Sequence, residues 1–90
     1  MKDMDQLRDE VDEIDSEILD LLSKRMDIVR KIAVQKKKSN ISIVDKKREG
    51  QVKQNWTLKA KSLDLQNKQL QNILEEIFEM SKEKQRRVKI

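Results

Sequence analysis

Apolar residues recur along the first part of the chain at Met4, Leu7, Val11, Ile14, Ile18 and Leu21, and again at Ile28 and Ile32. The steps alternate between three and four, with no Pro or Gly among them. This pattern predicts one long amphipathic helix over about residues 5–38, with a heptad-like seam. Asp3 or Asp5 can cap its start, and Asp9, Glu10, Asp12 and Glu13 suit the positive end of the helix dipole. One seam position departs from the rhythm. Between Leu21 and Ile28 an apolar residue is due at position 25, and the chain has Arg25 there. A second cation, Lys36, follows the last seam residue, Ile32.

Ser39-Asn40-Ile41-Ser42 interrupts the pattern and reads as a loop. A second helix is expected over about residues 45–61, with Asp45 as its N-cap and Glu49 in its first turn. Arg48, Val52 and Trp56 share one face of it, and Gly50 inside it costs up to about 1 kcal/mol relative to Ala. A weaker break around residues 61–64 precedes a third helix, expected over about 65–86. Its stripe is Leu70, Ile73, Leu74, Ile77 and Phe78, and the same face continues as Ser81 and Gln85. The residues from Lys82 onward are strongly basic and are expected to fray, with 87–90 as a basic tail.

Composition turns three helices into an assembly problem. The chain has 90 residues, read as a single domain over 1–90, with 42% charged and 36% hydrophobic residues and only one Trp and one Phe. A core built from so little apolar material is marginal for a lone chain. The first helix alone would be ~50 Å long, whereas a compact domain of this size has a radius of gyration of ~12 Å. The seam therefore overhangs its own globule, and a second copy of the chain is its simplest cover. The fold class is thus all-α, a three-helix subunit in a helical homodimer.

With no Cys and no His, disulfides, thiolate metal sites and the commonest general base are excluded. No apolar run is long enough for a membrane span or a signal peptide, so a cytosolic protein with no membrane partner is expected. The net charge of +4 suits an anionic partner, a small molecule or a nucleic acid.

The polar intrusions carry the candidate chemistry. Arg25 and Lys36 are eleven residues apart, about three turns, and point the same way with ~16 Å between them along the axis. Arg48 and Glu49 sit on the inner face of the second helix beside Val52, and Ser81 and Gln85 interrupt the third stripe one turn apart. Each alone has an ordinary explanation: a cation snorkelling from a seam edge, or a tolerated Ser or Gln at a core margin. Burying several such groups without partners costs a few kcal/mol each, which points to a polar pocket for a charged ligand. Arg8 lies ~25 Å along the helix from Arg25 and cannot grip the same small molecule from the same chain. Its ordinary role is a surface pair with Asp12; in an antiparallel or crossed dimer it could reach the Arg25 region of the other copy.

Taken in order, these residues resemble a known family. Leu7-Arg8-Asp9-Glu10-Val11-Asp12-Glu13-Ile14-Asp15 and then Leu21-Leu22-Ser23-Lys24-Arg25 are similar to the opening of the all-helical class of chorismate mutase. Lys36, Asp45-Lys46-Lys47-Arg48-Glu49, and Ser81 with Gln85 match its later motifs at similar spacing. The resemblance spans about Leu7 to Gln85. It implies an intertwined homodimer with two shared sites, each completed by Arg8 of the partner chain, and the Claisen rearrangement of chorismate to prephenate in Phe and Tyr biosynthesis. It implies that Arg8 and Arg25 hold the substrate carboxylates and that Lys36 and Gln85 donate to the ether oxygen. Glu49 and the Asp45 backbone would take the ring hydroxyl, Ser81 would assist a carboxylate, and Arg48 would line the site. Arg25, Lys36 and Gln85 are the expected catalytic groups. A pericyclic step of this kind needs no metal, cofactor, nucleophile or base. The length leaves no room for an appended processing domain, so a monofunctional enzyme is expected. Two alternatives stand beside the mutase. One is an isochorismate pyruvate-lyase of similar fold. The other is a helical dimerisation or nucleic-acid-binding module, against which the mild charge and scarce aromatics weigh.

Overall fold

The computed structural model describes residues 1–88 as three helices and the turns between them: α1 (Met4–Lys38), α2 (Lys46–Ser62) and α3 (Asn67–Arg86). The described residues include no strand. α1 starts where a capping box closes. The Asp3 carboxylate accepts from the Gln6 amide at 2.8 Å, and the Gln6 side chain accepts from the Asp3 amide at 3.0 Å. α2 begins after Asp45, whose carboxylate accepts from the Arg48 amide at 3.0 Å.

α1 and α2 stop by the same device. Asn40 and Asp64 take left-handed backbone angles, φ 55° and 56°. Asn and Asp tolerate this region better than other non-glycine residues. The next amides then fold back. Ile41 N–H reaches the Lys36 carbonyl at 2.7 Å, and Leu65 N–H reaches the Ala60 carbonyl at 2.9 Å, as in a Schellman end. This corrects the expected start of the third helix. Leu65 spends its amide on closing α2, so α3 starts only at Asn67.

α3 packs on both other helices and lies between them. The core is small: Val29 and Ala33 of α1, Ala60 of α2, Leu74 and Phe78 of α3, and Val88. Ile73, on the same sequence stripe as Leu74, stays 53% exposed. The end of α3 is tied down rather than frayed, against expectation. Residues Lys82 to Arg86 are helical, Val88 is buried, and its carbonyl accepts from Lys37 Nζ at the end of α1. Residues 89–90 of the basic tail lie outside the described residues.

The N-terminal half of α1 has no cover. Met4, Leu7, Val11, Ile14, Ile18 and Leu21 are each between 46% and 63% exposed. The molecule measures 57 × 26 × 15 Å with a radius of gyration of 16.5 Å, against ~12 Å for a compact chain of this length. Its accessible surface is 7609 Å², where a compact monomer of 10.7 kDa exposes about 5,500 Å². Among the described residues no helix is long and apolar enough to cross a membrane.

Candidate active site

A cavity of about 390 Å³ opens between the C-terminal half of α1, the start of α2 and the C-terminal half of α3. Its walls are apolar: Ile28, Val29 and Ile32 from α1, Ile43 from the connecting loop, Val52 from α2 and Phe78 from α3. Its polar groups are Arg25, Lys36, Asp45, Arg48, Glu49, Ser81, Lys82 and Gln85. An apolar shell with a few convergent polar groups is the usual form of a small-molecule site.

Arg25 leaves the seam of α1 to reach α3. Its Nη1 donates to Ser81 Oγ at 3.0 Å, and Ser81 Oγ donates in turn to the Ile77 carbonyl at 2.9 Å. The serine proton is thus committed to its own helix, and a lone pair of the oxygen accepts from and orients the guanidinium. Burial, and then the positive charge of Arg48, lower the pKa of Arg25 from its ordinary value. A guanidinium nevertheless stays charged at any working pH. Two arginines that repel each other across one cavity favour an anion between them. Among the described residues, Arg25, Lys36 and Arg48 form no salt bridge. Their charges are not neutralised within the chain.

Lys36 anchors the far end of the cavity. Its Nζ donates to the Ile43 carbonyl at 2.9 Å and to Gln85 Oε1 at 3.0 Å. An ammonium has three donors, so one remains for a ligand. Gln85 is buried, 7% exposed, and its amide oxygen is taken by Lys36. Its amide NH₂ is left as a donor. Arg48 is exposed and rests on Gln51 Oε1 at 3.3 Å, free to turn inward. Glu49 is held from α3: its Oε2 lies 3.4 Å from Lys82 Nζ, while its Oε1 lies 3.7 Å from the largely exposed Lys46.

Residues 7–86 match the family described as chorismate mutase type II. The chain belongs to that family. The match runs from the first turns of α1 to the last residue of α3, so it embraces every helix that lines the cavity. No curated protein and no solved structure matches the chain. That membership supports a chorismate mutase-like function.

Of the residues singled out in sequence as a chorismate mutase site, seven line this one cavity: Arg25, Lys36, Asp45, Arg48, Glu49, Ser81 and Gln85. Arg8 does not. It is exposed on the uncovered half of α1, seventeen residues and ~25 Å from Arg25. Lys82 also lines the cavity, although in the sequence it stands at the start of the basic C-terminal run. Its signal was its spacing on α3: four residues after Phe78 and three before Gln85.

Proposed function

We propose that this chain is a chorismate mutase that works as a homodimer with two shared sites, converting chorismate to prephenate in aromatic amino acid biosynthesis. The observation that carries the proposal is the pairing of two unneutralised guanidiniums, Arg25 and Arg48, with the Lys36–Gln85 donor pair at the other end of one cavity. The substrate is a dianion with an ether oxygen between its ring and its enolpyruvyl arm. Guanidinium groups bind carboxylates through paired hydrogen bonds.

The rearrangement breaks the C–O bond of the ether and forms a C–C bond within the same molecule. Negative charge builds on the ether oxygen as the bond lengthens. The free N–H of Lys36 and the amide of Gln85 would meet that charge, and one such oriented donor is worth about 10²–10³ in rate. The apolar walls from Ile28, Val52 and Phe78 favour the folded, chair-like conformer over the extended one by enclosing it. Glu49 and the Asp45 backbone would take the ring hydroxyl. No nucleophile or general base is required.

The homodimer rests on surface accounting and charge. The exposed area exceeds that of a compact monomer by about 2,000 Å² per chain, the scale of an obligate interface. Residues 1–22 carry nine acidic and two basic residues, and the remainder carries nineteen basic and eight acidic ones. Antiparallel pairing sets the acidic half of one α1 beside the basic half of the other, and brings the partner's Arg8 toward the open side of the cavity.

Incubating purified protein with chorismate tests the reading. Loss of chorismate absorbance with prephenate as the product supports it. Salicylate and pyruvate from isochorismate, with chorismate untouched, would assign the lyase reaction instead.

A further inference from the structure

Among the described residues, Lys82 is the one cation of the cavity that is spent on a carboxylate. Its Nζ stands 3.4 Å from Glu49 Oε2, and both side chains are only 15% exposed. The pair spans the site from α3 to α2. Glu79, one turn before Lys82, approaches it at 3.6 Å but is 62% exposed and solvated. Lys46 approaches the other Glu49 oxygen at 3.7 Å and is 78% exposed. Glu49 therefore has one sheltered partner, and it is Lys82.

The need for such a partner follows from the neighbours. Glu49 adjoins Arg48 in sequence and shares a cavity with Arg25 and Lys36. A carboxylate with no sheltered partner in that company swings onto a guanidinium and occupies the groups meant for a ligand anion. We propose that Lys82 is a positioning residue: it holds the Glu49 carboxylate on the α3 side of the cavity, which keeps Arg25 and Arg48 free for substrate carboxylates and leaves one Glu49 oxygen facing the ring hydroxyl. The role of Glu49 in this statement rests on the proposed mutase function. The withdrawal of Glu49 from the arginines does not.

A double-mutant cycle between Lys82 and Glu49 is the test, with chorismate kinetics and calorimetric binding of malate, a hydroxylated dicarboxylate, as separate readouts. Lys82→Met is expected to raise KM and weaken malate binding about tenfold, with kcat changed less than KM, because the freed Glu49 competes for the arginines. Lys82→Arg restores both. In the Glu49→Gln background, Lys82→Met has no further effect on malate binding, since no competing carboxylate remains. Equal losses from Lys82→Met in both backgrounds overturn the proposal, because Lys82 then acts on the ligand or the fold directly. An unchanged KM and malate affinity in Lys82→Met overturn it too. If Lys82→Met alone fails to fold by circular dichroism, the comparison of Glu49→Gln with the double variant decides. Absence of chorismate turnover by the unaltered protein defeats the proposed function, while the malate cycle still reads the pair.

Discussion

Lys36 Nζ lies 3.0 Å from Gln85 Oε1, and that contact decides which end of the amide faces the cavity. A lysine ammonium can only donate, so the glutamine oxygen must turn toward it and the NH₂ away. The donor aimed at a ligand is therefore set by a residue on another helix. Gln85 is neutral at any ordinary pH, so kcat/KM is expected to be nearly flat from pH 5 to 8. Gln85→Glu replaces the donor with a carboxylate that Lys36 also attracts. Its rate should fall about 10²–10³-fold at neutral pH and recover toward acid as the carboxyl takes up a proton and can donate again. A variant with the parent's rate and a flat profile would remove Gln85 from the reaction.

Arg25 is held in the cavity against burial and against Arg48, with the Ser81 hydroxyl as its only hydrogen-bond partner among the described residues. A bound anion relieves both costs, so a saturating dicarboxylate such as malate is expected to raise Tm. At 100 times its Kd the stabilisation is about 2.7 kcal/mol. Arg25→Ala should abolish both the shift and turnover of chorismate while leaving the helical circular dichroism signal in place. Retained turnover in Arg25→Ala would show that the cavity is not the reactive one.

Much of this arrangement is legible in the sequence because helices translate spacing into direction. Arg25 and Lys36 fall on the seam of α1, Ser81 and Gln85 on the buried stripe of α3, and the structure brings all four to one cavity. Two kinds of feature were not legible. Helix ends depend on single backbone angles: α3 starts late because Asp64 adopts a left-handed conformation and Leu65 closes α2. Charge also hides role. Lys82 sits among basic neighbours that face solvent, and only the approach of Glu49 from another helix separates it from them.

Gly50 follows Glu49 inside α2, and its backbone is not in the left-handed region. A Cβ added there meets nothing within 4 Å. Nothing among the described residues therefore requires glycine there. Gly50→Ala is expected to stabilise the fold by about 0.5–1 kcal/mol through helix propensity and a less flexible unfolded chain. Urea unfolding followed by circular dichroism reads this. Destabilisation instead would mean that a partner chain packs against the Gly50 backbone.

The six exposed seam residues from Met4 to Leu21 should be the strongest determinants of assembly. Ile14→Asp places a charge in the middle of that stripe and adds to nine acidic residues already present over residues 1–22. Dissociation to monomer is expected in sedimentation, with loss of helix, because a single chain buries so little. In the proposed antiparallel dimer the acidic half of one α1 faces the basic half of the other, so that dimer is expected to weaken as salt rises. A monomeric parent protein would sink both expectations.

Arg8 offers the sharpest test of a shared site, because it and Arg25 lie ~25 Å apart on one rigid helix. If each site takes Arg25 from one chain and Arg8 from the other, Arg8→Ala and Arg25→Ala are each inactive as homodimers. Unfolding the two variants together and refolding the mixture yields heterodimers as about half of the population. In each heterodimer one site draws Arg25 from the Arg8→Ala chain and Arg8 from the Arg25→Ala chain, so it is intact. The other site lacks both. Activity should therefore return to about a quarter of the parent value. A mixture as inactive as its parts would mean that Arg8 does not complete the cavity of the other chain.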